Sequence, residues 1–142
     1  MTKLLDRKSL LKKEVLEVVQ VDLGKEVHVF VRQMTGRERD TFEQSLLKEK
    51  KDDKGEVTGY VNSLQDFRAK LAVCTVCDEK GNLLLEPTDY ADLSMSMSAA
   101  RLEKIVNTAQ KLNKITEEDK DALTKNSVGV KDASSTSDSV EN

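Results

Sequence analysis

The sequence predicts a small single α+β domain that is mostly helical. Two observations predict strands: valines alternate with other residues over 27–31, and a turn-forming run at 78–82 precedes three leucines. A third observation predicts helices, because apolar residues recur every three or four positions over 60–74 and 98–112. The expected fold has an N-terminal β-hairpin, a second short hairpin and a C-terminal helical part, all within residues 1–126.

The N-terminal elements are a short helix and a hairpin. The helix should be amphipathic with a basic outer side, and its apolar residues are Leu4, Leu5, Leu10 and Leu11. A Val- and Leu-rich strand over 14–21 follows, and the four residues 22–25 connect it to a strand that begins at Glu26. The valines at 27, 29 and 31 point to one face, so we expect one face of the hairpin to be buried.

A capping box marks the next helix start. The Thr35 hydroxyl can accept from the Glu38 amide while the Glu38 carboxylate accepts from the Thr35 amide. The helix that follows should place Phe42, Leu46 and Leu47 on its inner side. Residues 48–55 are almost all charged, which predicts a mobile surface loop.

A core helix and a turn follow this loop. The helical period begins at Tyr60, and its stripe is Leu64, Phe67, Leu71 and Cys74. In the run 78–82, Asp78 opens a type I turn and Gly81 supplies a positive φ, which predicts the second hairpin. A brief helical turn over 89–93 should then begin after Pro87.

The C-terminal part contains two capped helices. Ser98 is a good N-cap, and Met97 and Leu102 have the spacing of a hydrophobic staple. The apolar face of this helix is Leu102, Ile105, Val106, Ala109 and Leu112. Residues 116–119 should cap a last helix with Ala122 and Leu123 inward. Residues 127–142 have six Ser/Thr, no aromatics and a charge of −2, which predicts a disordered Ser-rich acidic tail.

Charge and hydropathy exclude several classes of partner. The chain has 23 basic and 26 acidic residues, so it lacks the concentrated positive charge that binding to nucleic acid or anionic lipid requires. No apolar run approaches the roughly 18 residues of a membrane span, and charges interrupt the N-terminal leucines. We therefore expect a cytoplasmic protein that binds neither nucleic acid nor membrane.

Few residues suggest chemistry. Cys74 and Cys77 form a C-x-x-C, which can be a redox dithiol, half of a zinc site, or two small residues that close a core helix. The only other soft ligand is His28, which the alternation places on the less apolar face of the hairpin as a surface residue. No phosphate-binding glycine motif or nucleophile elbow is present. The sequence predicts no enzyme activity, no cofactor and no metal.

Three stretches, 29–43, 71–85 and 93–125, carry a resemblance. They read VFVRQMTGRERDTFE, a core helix running into CDEKGNLLL, and an ending with LSMSMSAARLEKIV and LNKITEED. The order of these elements resembles tail assembly chaperones of long-tailed bacteriophages and prophages. The resemblance implies a protein made in the host bacterial cytoplasm that binds the tape measure protein and is absent from the mature virion. It also implies that a frameshifted longer product recruits tail tube protein.

A chaperone of this kind needs an apolar surface for its client. The hypothesis is that the 98–112 helix, with the methionines before it, borders a partner-binding groove made of Met95, Met97, Leu102, Ile105, Val106 and Leu112. The alternative is that the domain's own core consumes this face. A rival function is a structural tail or connector component that stays in the virion. Free hairpin edges could also pair copies of the chain into a homo-oligomer.

Overall fold

The computed structural model describes residues 1–125 and has an α+β fold, as predicted. The helices are α1 (Arg7–Leu11), α2 (Gly36–Ser45), α3 (Phe67–Thr75), α4 (Tyr90–Ser96), α5 (Ala99–Leu112) and α6 (Glu117–Lys125). The strands are β1 (Val18–Gly24), β2 (Val27–Arg32), β3 (Leu47–Lys51), β4 (Val57–Asn62) and β5 (Val76–Cys77). In this part of the chain one sheet has the order β1-β2-β5, and β3 and β4 form a separate pair.

The N-terminal hairpin is confirmed, with a tighter connection than predicted. Strands β1 and β2 pair antiparallel, with Val19 opposite Val31 and Val21 opposite Val29. The connection is Lys25 and Glu26 rather than residues 22–25, because both adopt a positive φ (52° and 61°). Two positive φ values in a two-residue loop give the turn whose twist matches that of the strands. Strand β1 consequently extends to Gly24 instead of ending at 21. Its predicted start at 14 was also wrong, because the strand begins at Val18.

Burial in β2 increases along the strand rather than following one face. Val31 is fully buried as the alternation predicted and Val29 is half-buried, but Val27 is 45% exposed, so the predicted burial of the valine face was wrong at the hairpin tip. Arg32 points to the opposite face and is also buried. The turn at Gly81 accounts for this, since a β-carbon there would lie 3.5 Å from Val18 and 3.9 Å from Arg32 Cδ. The turn at Gly81 therefore covers the face of the hairpin that carries Val18 and Arg32, at the end away from the hairpin's own turn.

The predicted capping box begins α2. The Thr35 amide donates to Glu38 Oε1 at 2.9 Å, and the Glu38 amide donates to Thr35 Oγ1 at 3.2 Å. Phe42 and Leu46 are buried as expected. Leu47 is exposed and begins β3, so its predicted place on the inner side of the helix was wrong.

The predicted loop at 48–55 was wrong over 48–51, because these residues lie in β3, and residues 52–55 form the turn that joins β3 to β4. Strands β3 and β4 pair antiparallel, with Lys48 opposite Val61 and Glu49 opposite Tyr60. The Asp52 carboxylate closes the turn by accepting from the amides of Lys54 and Glu56 at 2.9 and 3.0 Å. Turn chemistry and backbone pairing stabilise this hairpin, since every residue of β3 is exposed.

The core helix α3 is shorter at its start than predicted. It begins at Phe67 instead of Tyr60, which lies in β4, and Leu64 is 39% exposed before the helix. Phe67 and Leu71 are buried as expected, and Cys74 is half-buried. The periodicity thus identified the second half of this element correctly.

The predicted second hairpin is present as a turn with minimal pairing. The Asp78 amide donates to the Asn82 carbonyl at 2.9 Å, and Gly81 has the predicted positive φ of 89°. Cys77 and Leu83 form an isolated bridge across this turn, and the Leu84 amide donates to the Val76 carbonyl at 3.2 Å. Residues Val76 and Cys77 instead pair with β2, which makes them the third strand of the first sheet.

The C-terminal helices begin at the predicted caps. The Arg101 amide donates to Ser98 Oγ at 3.1 Å, and Thr116 and Asp119 form reciprocal bonds of 2.9 and 3.0 Å. A 3₁₀ turn (Pro87–Asp89) leads into α4, which extends beyond the predicted 89–93. Ala122 is exposed, contrary to prediction. The structure describes residues 123–125 by their backbone alone, so the predicted inward side chain of Leu123 lies outside what it describes, as does the predicted disordered tail at 127–142.

Candidate partner-binding groove

A groove opens between the tip of the N-terminal hairpin and the corner where α4 meets α5. Its volume is about 760 Å³, within the range of about 300–1,000 Å³ that is usual for binding sites. The hairpin and the segment before α4 contribute Leu23, Gly24, Lys25, Leu85 and Asp89. The α4–α5 corner contributes Asp92, Leu93, Ser96, Met97, Ser98, Ala100, Arg101 and Lys104. Two separate stretches of sequence, 23–25 and 85–104, therefore build it.

The apolar lining of the groove belongs to the edge of the core. Leu23, Leu85, Leu93 and Met97 are half-buried and pack against the hydrophobic cluster. Each side chain thus has one side fixed by the domain and one side available to a ligand. Such a lining is held in place before any partner arrives, which reduces the entropy lost on binding.

The charged lining of the groove has three cations and two carboxylates. Lys25, Arg101 and Lys104 take part in no ion pair among the described residues. The Lys104 ammonium lies at the hairpin tip, 3.8 Å from the point where a β-carbon on Gly24 would stand. Asp89 is already engaged, since its carboxylate accepts from the Glu86 amide at 2.7 Å. A hydrogen bond from an amide leaves the charge of Asp89 in place, so the lining has three cations against the two carboxylates of Asp89 and Asp92.

The structure divides the predicted binding residues between core and surface. Leu102, Ile105 and Val106 are 5%, 2% and 1% exposed and belong to the core, and Leu112 is half-buried against it. These four therefore fit the alternative that the domain's own core consumes this face of α5.

The two methionines remain on the surface side. Met97 lines the groove, whereas Met95 is 87% exposed and lies outside the groove lining. Helix α5 does border a groove, but with Ala100, Arg101 and Lys104 instead of its apolar stripe. A sequence signal for this face exists in Arg101, a cation in the first turn of a helix.

Comparisons of the chain with protein-family models, with curated proteins and with solved structures found no match. Within residues 1–125, the helices are too short or too polar for any of them to cross a bilayer. His28 is exposed on β2, as predicted, with its ring edge-on to Phe30.

A second apolar surface lies at the N-terminus. The side chains of Leu4, Leu10, Leu11 and Val15 are 96%, 66%, 70% and 93% exposed. Helix α1 has no buried residue, so the apolar side predicted for it has no partner in the described part of the chain. Basic residues alternate with these leucines, namely Lys3, Arg7, Lys8, Lys12 and Lys13. We name residues 1–15 the N-terminal arm.

The two cysteines lie where α3 ends and β5 begins. Both are free thiols, Cys77 buried and Cys74 half-buried. Burial raises the pKa of Cys74 to about 11, the Glu38 carboxylate adds to this, and the Arg32 guanidinium opposes it. Burial also raises the pKa of Cys77. A redox dithiol needs the opposite shift. Among the described residues no cluster of His, Cys, Asp or Glu has the geometry of a metal site.

Alkylation should be slow in the native protein. Since the thiolate is the reactive species, raising the pKa of Cys74 from 9.0 to about 11 lowers its thiolate fraction at neutral pH by roughly 100-fold. Iodoacetamide labelling, followed by mass spectrometry with and without denaturant, measures this. Labelling of Cys74 in the native protein at the rate seen in the denatured chain would contradict the burial of this thiol.

Proposed function

We propose that this protein is a non-catalytic tail assembly chaperone of a long-tailed phage or prophage. It binds the tape measure protein in the host bacterial cytoplasm and keeps it soluble until the tail tube assembles. The observation that carries the proposal is apolar surface that the fold leaves accessible, in the groove and on the N-terminal arm, on a chain of which 35% is charged. The resemblance of the elements supports the choice of client.

Accessible apolar surface is what binding to such a client requires. A tape measure protein presents long amphipathic helices, which aggregate unless their apolar stripes are covered. A groove bordered by helices can accept one such stripe. The highly charged exterior then keeps the complex in solution. The fraction of client that stays soluble depends on the concentration of chaperone, since binding stabilises by mass action.

The titratable groups with altered pKa support a non-catalytic role. Hydrogen bonds from turn or cap amides lower the pKa of Asp6, Asp78 and Asp119. Each of these carboxylates is held in a helix cap or a tight turn. Perturbed pKa values often mark catalytic groups, but here local structure accounts for them.

Co-expression tests the proposal. The chain would be produced together with the tape measure protein of the same phage or prophage, and the soluble fraction of the tape measure protein would be measured with and without the chain. We expect a tagged chain to capture the tape measure protein, and the tape measure protein to aggregate when the chain is omitted. An unfolded variant such as Ile105→Asp serves as the negative control, since Ile105 is buried.

Two outcomes would overturn the proposal. One is a tape measure protein that stays soluble and uncaptured regardless of the chain. The other is the chain itself in purified particles at fixed stoichiometry, which would favour a structural tail or connector component. Capture of tail tube protein is expected only by a frameshifted longer product that carries a second domain.

A further inference from the structure

We propose that the groove binds an acidic amphipathic segment of the client protein. The apolar side chains of that segment would contact Leu85, Leu93 and Met97, and its carboxylates would lie beside the three cations of the lining. The inference rests on the proposed function for the identity of the client. The chemistry of the bound segment follows from the groove itself.

Charge complementarity selects an acidic occupant. The lining holds three cations that form no ion pair among the described residues, Lys25, Arg101 and Lys104, against two carboxylates, Asp89 and Asp92, so its net charge is positive. A partner that brings carboxylates to these cations gains attraction and steering, while a basic partner meets repulsion. The half-buried apolar lining adds the contact area that charges at an exposed rim do not supply.

The position of Arg101 supports a binding role for the cations. It is in the first turn of α5, where the helix dipole disfavours positive charge, and that turn has no acidic residue. The other two long capped helices have acidic first turns, with Glu38 in α2 and three carboxylates in α6. A residue that opposes local stability without a compensating partner in the fold is typical of a functional surface.

The N-terminal arm of a second copy of the chain fits the groove poorly. The arm is apolar and accessible, but it carries five basic residues against two acidic ones. With three cations against two carboxylates, the groove would repel this basic arm more than it attracts it. The occupant is therefore a segment of the client rather than the arm of another copy.

Two synthetic peptides test this inference with the full chain. Both are amphipathic helices of about five turns with the same leucine stripe. Glutamates flank the stripe in one and lysines in the other. Fluorescence anisotropy should show that the acidic peptide binds at least about 10-fold more tightly, with an affinity that falls as salt is raised.

Matched variants locate the binding site. Arg101→Glu with Lys104→Glu should weaken binding of the acidic peptide by at least about 10-fold, because two attractions become repulsions. Lys111→Glu with Lys114→Glu makes the same change in net charge at exposed positions outside the groove lining and should leave the affinity unchanged. Circular dichroism checks that both pairs remain folded.

Each of the following results would overturn the inference. The two peptides could bind equally, neither could bind, or the control pair could weaken binding as much as the groove pair. Sedimentation could also show that the groove pair dissociates an oligomer of the chain, which would identify a second copy as the occupant.

Capture of the tape measure protein by the groove pair at wild-type level would reject the groove and keep the proposed function. Selection of the acidic peptide without capture of the tape measure protein would keep the groove as a site for acidic segments and reject the proposed function.

Discussion

Replacing Ile105 with aspartate is expected to unfold the protein. Ile105 is 2% exposed in the middle of α5 and belongs to the hydrophobic cluster. Removing a buried isoleucine costs about 2–5 kcal/mol, and burying an unpaired carboxylate adds several more. The sum approaches the whole stability of a typical domain, about 5–15 kcal/mol. Urea unfolding followed by far-UV circular dichroism measures the effect.

Met95→Asp is the matched comparison. Met95 is 87% exposed in α4, so the same change in side-chain chemistry should alter the free energy of unfolding by no more than about 0.5 kcal/mol. Ile105→Val, which removes one methyl group, should cost about 0.5–1.5 kcal/mol. This smaller cost would show that the loss of stability follows the amount of buried side chain that is removed. A folded Ile105→Asp variant that had lost only client binding would contradict the core assignment and restore the apolar face of α5 as a binding surface.

Local signals in this sequence were sufficient wherever the partners are close in the chain. The capping box at Thr35 and Glu38, the cap at Ser98 and the turn with Gly81 all depend on groups within four residues. The β3–β4 hairpin was missed for a physical reason. Its strands bury almost nothing, so no alternation of apolar and polar residues marks them, and the Asp52 turn that joins them is an ordinary feature of charged loops.

The groove could not be predicted from any single element. Leu23, Leu85 and Met97 meet there only because β1 packs beside α5, a contact between residues distant in the chain. Periodicity identified the apolar stripe of α5 correctly but could not decide what covers it. The structure shows that the core covers most of it, while the opposite side of the first turn, with Arg101, borders the groove.

Replacing Glu38 with glutamine is expected to have the second largest effect. Glu38 accepts from the buried Arg32 guanidinium at 2.8 Å, and the side chain of Arg32 is 8% exposed. Glutamine can keep the capping box but removes the charge that compensates this cation. Breaking a buried pair by removing one partner costs about 3–5 kcal/mol, and since Glu38 is 28% exposed we expect about 2 kcal/mol.

Control variants separate the charge from the cap. Thr35→Ala removes the hydroxyl that accepts from the Glu38 amide and should cost about 1 kcal/mol. Combining Arg32→Met with Glu38→Gln removes both charges, so the double variant should regain much of the stability that Glu38→Gln lost. A double variant that is as unstable as the sum of its single changes would contradict a charge-pair explanation.

The dependence on pH gives an independent readout of the same pair. Burial raises the pKa of Glu38, but hydrogen bonding from Arg32 and the Thr35 amide outweighs this and holds the pKa below its usual value of 4.5. Because the folded pKa is the lower one, the unfolded state binds more protons as pH falls, so the contribution is complete above pH 4.5 and is lost below it. The difference in unfolding free energy between the wild type and Glu38→Gln should therefore be largest near neutral pH and should shrink as Glu38 is protonated. A difference that stayed constant from neutral to acidic pH would show that the ion pair is not its origin.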